Sequence, residues 1–168
     1  MQFQEIDIRE VKDNAVRLIS DEWALVTAGS RDKWNTMTVS WGGIGELWGK
    51  DVAMIFIRPQ RYTYEFIERE DYFTMSFLGG EYKKALSLCG SKSGREIDKA
   101  KEAGLTPFYP GPAVAIEEAK LVLVCRKLAF QDLDPAGFID PAIDSSCYLA
   151  KDYHRMYVGA IERVLVKK

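Results

Sequence analysis

The chain has 168 residues, of which 47% are apolar and 29% charged, and its formal net charge is −2. Its length is typical of one domain, and its composition is typical of a folded globule rather than a disordered or fibrous chain. Without a basic excess, an apolar run of ~20 residues or an apolar N-terminus, we expect one cytoplasmic domain over residues 1–168, with neither nucleic acid nor membrane as a partner.

In the first half of the chain, β-prone runs are separated by turns and one helical segment. Four runs predict strands, at residues 23–28, 35–41, 52–57 and 72–78. The glycines at positions 42, 43 and 45 follow the second strand and indicate a bend or a bulge. Pro59 stands near the start of a helix predicted over residues 62–70, since proline is tolerated in a first helical turn.

In the second half of the chain, two short helices precede two long strands. The sequence predicts helices at residues 81–88 and 93–103 and strands at 118–128 and 156–166, with a loop over 132–148. Ser93 and Glu96 have the spacing of a capping box, and Gly104 suits a helix C-cap. These elements do not alternate one by one, and no G-x-G-x-x-G is present, which argues against a Rossmann sheet. The pattern favours a mainly β, α+β fold, an antiparallel barrel with short helical excursions.

Side chains that usually carry metal or nucleophilic chemistry are sparse. Cys89, Cys125 and Cys147 are far apart and form no CxxC pair, which argues against a disulfide framework. With His154 as the single histidine, a zinc or iron–sulfur site is also disfavoured. No serine stands in a G-x-S-x-G motif, so a hydrolase triad is not indicated. We expect no metal, and we expect any redox chemistry to depend on an organic cofactor.

Two segments in the first half could carry chemistry, although each has an ordinary structural interpretation. The strand 35–41 carries the hydroxyls of Thr36, Thr38 and Ser40 on one face, which could line a polar cavity or simply meet solvent. The segment 58–63 (RPQRYT) places two arginines at a strand end and a helix start. It could bind an anion or form only a solvated turn.

Two further segments in the second half have the same double interpretation. The segment 90–95 (GSKSGR) is a small-residue loop with two cations, which could cradle a phosphate or only lead into a helix. It does not satisfy the P-loop pattern. The segment 152–155 (DYHR) contains His154, which could contact a cofactor or move a proton, although a lone histidine is more often structural.

Taken in chain order, the four segments resemble the flavin reductase-like proteins of the FMN-binding split-barrel fold, close to the flavoredoxin type. The resemblance is carried by residues 35–42 (NTMTVSWG), 58–63, 90–95, 98–99 (DK), 104–105 (GL), 152–154 and 158–159 (VG). It covers the chain from about Trp23 to Val166, and the ordered combination is more specific than any one segment.

The resemblance implies an antiparallel split β-barrel that holds FMN non-covalently in a homodimer, with the pocket near the subunit interface. The strand from Thr38 to Trp41 would lie along the isoalloxazine, and His154, the catalytic candidate, would lie near the flavin or the incoming reductant. The implied cofactor-binding residues are Thr36, Thr38, Val39, Ser40, Trp41, Arg58, Arg61, Tyr62, Thr63, Ser91, Lys92 and Ser93. Which of the two basic segments holds the phosphate is left open.

The leading hypothesis is an FMN-dependent oxidoreductase. NAD(P)H would deliver a hydride to the bound flavin, and the electrons would pass to a second acceptor, either a small molecule or a small electron-carrier protein. One alternative is a flavoredoxin-type electron carrier that takes electrons from a protein partner, and another is a non-catalytic dimer. The sequence has no nucleotide-binding fingerprint and does not separate the first two.

Overall fold

One antiparallel sheet dominates the computed structural model, which describes residues 2–168. The strands are β1 (Phe3–Ile6), β2 (Ala24–Gly29), β3 (Trp34–Val39), β4 (Gly42–Leu47), β5 (Lys50–Ile57), β6 (Tyr72–Phe77), β7 (Pro107–Phe108), β8 (Ala115–Ile116), β9 (Leu121–Asp132) and β10 (Arg155–Lys167). The helices are α1 (Ala15–Arg17), α2 (Tyr62–Arg69), α3 (Lys83–Ser91), α4 (Lys99–Ala103) and α5 (Pro141–Cys147). A π-helical turn, Leu18–Glu22, continues α1, and short 3-10 turns occur at Ile8–Glu10, Gly80–Tyr82 and Pro135–Gly137.

The last strand, β10, pairs with three other strands of the sheet. Its order is β3-β2-β6-β9-β10-β5-β4, and β7 and β8 form a separate pair. Along one edge, β10 pairs with β9. Along the other edge, its first half pairs with β5 and its second half with β1. Register shifts between Val158 and Gly159 and between Ile161 and Arg163 interrupt the pairing of β10 with β9, and such bulges bend a strand. The predicted antiparallel, mainly β architecture is confirmed.

The central strands are buried on both faces, which explains why they appear in the sequence as continuous apolar runs. On one face, Val26 of β2, Met75 of β6 and Leu123 of β9 belong to the cluster inside the sheet. On the other face, Leu25 belongs to a second cluster that includes Leu86 of α3. Helix α3 therefore covers the outer face of β2 and β3 and fixes the loop that follows it.

Several local predictions were wrong. The glycine-rich residues 42–47 form strand β4 rather than a bend, paired with β5 from Gly42 opposite Ile55. Glycine suits this strand, because a Cβ on Gly42 would lie 2.8 Å from the Met54 carbonyl oxygen. The predicted strand 35–41 ends at Val39, so Trp41 lies in the connection.

The predicted loop and the predicted capping box also differ from the structure. Residues 132–148 contain α5, which begins at an Asp-Pro pair whose Asp140 carboxylate accepts the Ala142 N–H at 2.9 Å. Ser93 forms a turn in which its hydroxyl accepts the Arg95 N–H at 3.2 Å. Asp98 caps α4 instead, and Gly104 is its left-handed C-cap, as predicted. Strands β1, β7 and β8 were not predicted.

Candidate functional site

The first part of the site is a pocket of about 200 Å³ where β3 and β5 end and β10 begins, which we call the strand-end pocket. It is lined by Met37, Thr38, Val39, Ser40, Trp41, Phe56, Arg58, Arg61 and His154. The pairing of Arg155 with Ile57 brings the start of β10 beside the end of β5. Two segments that lie about a hundred residues apart in the sequence, at Arg58 and at His154, therefore face one cavity.

The second part is a smaller pocket of about 120 Å³, which we call the basic pocket. It is lined by Gln60, Arg61, Tyr62, Thr63, Ser91, Lys92, Ser93 and Lys99. The two basic segments that the sequence left as alternative phosphate sites thus border the same cavity. Arg61 lines both pockets and connects them.

The two arginines of the segment 58–63 have opposite environments. The Nη1 atom of Arg58 lies 2.6 Å from the Asp152 carboxylate, and its Nη2 donates to the Cys147 carbonyl at 3.0 Å. Arg61 donates through Nη2 to the Gly90 carbonyl at 2.8 Å and has no carboxylate partner among the described residues. Burial, and then the charge of Arg58, lower the pKa of Arg61. The charge of Arg58 is compensated inside the protein, whereas that of Arg61 remains available to an anion.

The hydroxyls of β3 are largely engaged within the protein. Thr36 is buried, donates to the Val26 carbonyl at 3.2 Å and pairs with the Thr27 hydroxyl at 2.8 Å. It lies outside both pockets. Thr38 donates to the Leu86 carbonyl at 2.5 Å. Thr38 and Ser40 line the strand-end pocket, but only Ser40 is exposed.

His154 is held neutral beside the strand-end pocket. Its Nδ1 atom lies 2.7 Å from the Tyr148 hydroxyl, and its ring centroid is 5.1 Å from that of Trp41. Burial lowers the pKa of His154 to about 4. The positive charge of the neighbouring Arg58 also lowers this pKa, whereas the carboxylate of Asp152 raises it. Burial also raises the pKa of Tyr148, so this hydroxyl keeps its proton. Either Nδ1 or the Tyr148 hydroxyl can donate in this hydrogen bond, and the Nε2 atom is the other polar atom of the neutral ring.

Sequence reasoning missed Lys99 of the basic pocket. Its side chain is buried, and its Nζ donates to the carbonyls of Thr36 and Cys89, both at 2.8 Å. Burial lowers the pKa of Lys99 to about 8; the Cys89 thiol opposes this change, and the charge of Arg61 adds to it. Residues 98–99 carry part of the family resemblance, but a lysine beside the start of a helix is normally solvated, so the sequence did not place Lys99 among the binding residues. Phe56 and Tyr148 were also missed, because an apolar strand residue and a tyrosine usually serve packing.

A larger cleft of about 630 Å³ lies beside the basic pocket and shares Tyr62 and Lys99 with it. Within residues 2–168, no group of three or more His, Cys, Asp or Glu side chains is arranged to hold a metal ion. In the same part of the chain, no helix has both the length and the apolar character needed to cross a membrane.

The family model described as flavin reductase like domain matches residues 16–168, which include every element that borders the two pockets. The chain belongs to this family. The family resemblance noted from the sequence is therefore confirmed. No curated protein matches the chain.

Solved structures of similar fold agree with this flavin reductase-like assignment. An FMN-binding domain of a flavin reductase-like enzyme from Shewanella baltica OS155 has a TM-score of 0.71 at 16% identity, covering 98% of this chain and 77% of its own. Flavoredoxin from Methanosarcina acetivorans has a TM-score of 0.68 at 22% identity, with coverages of 88% and 69%. Flavoredoxin of Desulfovibrio vulgaris (Miyazaki F) has a TM-score of 0.67 at 23% identity, with coverages of 87% and 69%. At these identities the likeness establishes the split-barrel fold of this flavin reductase-like domain.

Proposed function

We propose that this flavin reductase-like domain binds FMN and is an oxidoreductase that uses NAD(P)H as reductant and passes electrons to a second acceptor. The strand-end pocket would receive the ring, and the basic pocket would receive the phosphate. One observation carries the proposal. Arg61, half-buried and without a carboxylate partner among residues 2–168, lies between the two pockets.

The residues present fit this cofactor. FMN joins a flat, partly apolar ring to a phosphate dianion. The strand-end pocket offers apolar walls at Met37, Trp41 and Phe56, and the basic pocket offers guanidinium, ammonium and hydroxyl donors. Helix α2 starts at this pocket without a side-chain cap, so its first N–H groups and its dipole favour an anion. Charge-assisted hydrogen bonds of this kind are the strong ones.

The size of the strand-end pocket supports a homodimer. At about 200 Å³ it is smaller than the ~300 Å³ or more of a typical enclosing ligand site. Trp41, which is 47% exposed, stands at its edge. We therefore propose that one chain covers only part of the ring and that a second copy completes the cavity.

When bound, FMN supplies the group that accepts a hydride and releases electrons. The protein's part is to hold and orient it. Arg61 would bind the phosphate. Arg58, which is held by the Asp152 carboxylate, fixes the end of β5. His154, with a pKa of about 4, is neutral at pH 7. We assign it a hydrogen-bonding role through Nε2 toward the ligands, not the role of a cationic acid.

The proposal is tested with purified protein, first by FMN titration and then by rapid anaerobic mixing with NADH or NADPH. We expect stoichiometric FMN uptake, followed by loss of flavin absorbance on mixing at a rate that matches turnover. The test variant is Arg61→Met, which should need far more FMN to reach saturation than the wild-type protein. Absence of FMN uptake by the wild-type protein would refute the proposal.

A flavoredoxin-type electron carrier is the second candidate. Trp41 lines the strand-end pocket and is 47% exposed, which leaves apolar surface at the edge of this pocket where a protein partner could dock. The same mixing experiment separates the two functions. FMN uptake without reduction by either nicotinamide nucleotide would favour the carrier.

A further inference from the structure

We infer that Lys99 is a ligand of the phosphate site: its ammonium group binds the anion together with Arg61 and also holds the end of α3 against β3. The inference rests on the proposed binding of FMN. It adds a residue of the short helix α4 to the two segments already considered.

The geometry gives Lys99 two tasks. Its Nζ donates to the Thr36 carbonyl of β3 and to the Cys89 carbonyl near the end of α3, both at 2.8 Å. These bonds tie the last turn of α3 to the sheet. An ammonium group has three N–H donors, so one remains after both carbonyls are served. Lys99 borders the basic pocket beside Arg61 and Thr63, where that donor can meet a ligand.

The electrostatics favour an anion at this place. Lys99 is only 5% exposed, and among residues 2–168 it has no ion pair with a carboxylate. A buried charge that is compensated only by neutral carbonyls is costly. Arg61, a second half-buried cation without a carboxylate partner, lies close enough to lower the pKa of Lys99 further. A phosphate dianion in the basic pocket would compensate both cations at once.

Charged and titratable groups surround Lys99 on two sides. The larger cleft that Lys99 also lines carries Asp32, Lys33, Tyr62, Arg95, Glu96, Asp98 and Lys101, and within residues 2–168 none of these carboxylates forms an ion pair with Lys99. The other groups lie on the side of the basic pocket. Arg61 faces it from the turn before α2, and Cys89 faces it from α3, where burial raises the pKa of the thiol and keeps it neutral. Strand β3 contributes the uncharged Asn35 and Thr36. Lys92 lines the same pocket from the loop, but it is exposed. With its pKa at about 8 in the free protein, Lys99 should lose its proton just above neutrality, and phosphate affinity should fall with it.

The decisive measurement compares FMN with riboflavin, which has the same ring and no phosphate. We expect Lys99→Met to raise the Kd of FMN by about 10- to 100-fold, as the loss of a charged hydrogen bond should, and to change that of riboflavin little. The matched control is Lys101→Met on the same helix, which is exposed and outside the basic pocket and should alter neither Kd. Equal loss for both flavins, or no loss for either, would overturn the inference.

A second measurement needs no variant and decides the matter if Lys99→Met does not fold. The ratio of FMN to riboflavin affinity of the wild-type protein is followed from about pH 7 to about pH 9, a range in which the flavin phosphate keeps its charge. We expect the ratio to fall about tenfold as Lys99 loses its proton. A constant ratio would overturn the inference, whereas absence of riboflavin and FMN binding altogether would instead refute the proposed function.

Discussion

The neutral, buried His154 predicts a specific loss of stability in acid. In the folded protein its pKa is about 4, whereas an exposed histidine, as in the unfolded chain, titrates near 6.5. Below pH 6.5 the unfolded chain therefore binds a proton that the folded protein does not. This proton stabilises the unfolded state, so the contribution of His154 is complete above pH 6.5 and is lost as the pH falls toward 4.

The magnitude follows from the two pKa values. The difference between 6.5 and about 4, at about 1.4 kcal/mol per pH unit, corresponds to about 3 kcal/mol. His154 is only 7% exposed, so solvent screens this effect weakly. A typical domain is stable by about 5–15 kcal/mol, so an effect of this size should be visible in an equilibrium unfolding experiment.

The assay is urea unfolding of the wild-type protein and of His154→Asn at about pH 7 and about pH 4, with both proteins at the same concentration. The asparagine side chain of the variant cannot titrate, whereas the surface carboxylates titrate in both proteins and cancel in the comparison. We expect the free energy of unfolding to fall by about 3 kcal/mol more in the wild type than in the variant. Equal losses, or an imidazole pKa near 6.5 measured by NMR, would refute the burial argument.

Three further outcomes are expected. Arg61→Ala should raise the Kd of FMN by more than His154→Ala does, because it removes a charge that faces the basic pocket; comparable dissociation constants would contradict this placement. Gly159→Ala should lower the free energy of unfolding by about 1–3 kcal/mol, since its Cβ would lie 2.7 Å from the Phe73 ring; denaturant unfolding measures it. Replacing all three cysteines by alanine should leave flavin reduction intact in the mixing assay, because no thiol lines either pocket.

The sequence predicted those parts of the fold that depend on local apolar patterning. Residues 23–28, 52–57 and 72–78 lie within one residue or two of β2, β5 and β6, because central strands buried on both faces leave an unbroken apolar run. Strand β4 was missed because its glycines are explained by a neighbour in space, Met54, and not by the local chain. Helix α5 was missed because it has no buried residue and so no apolar periodicity.

The candidate site was predictable as a set of segments but not as a set of contacts. The strand end, the two basic segments and the histidine do border two adjoining pockets. What was not predictable came from long-range pairing. Lys99 reaches a carbonyl 63 residues away, and Arg58 donates to the Asp152 carbonyl 94 residues away. A single sequence contains no signal for such pairs, since each partner has an ordinary local role.

The contrast between Arg58 and Arg61 shows why the fold was needed to argue for a ligand. The two residues stand three positions apart, and their chemistry is identical, so the sequence assigns both to phosphate. In the structure Asp152 neutralises Arg58, which makes it part of the scaffold. Arg61 and Lys99 are withdrawn from solvent without a carboxylate partner in residues 2–168, an arrangement that costs free energy unless an anion binds there. The proposed phosphate site therefore rests on the cations left uncompensated and not on the number of cations.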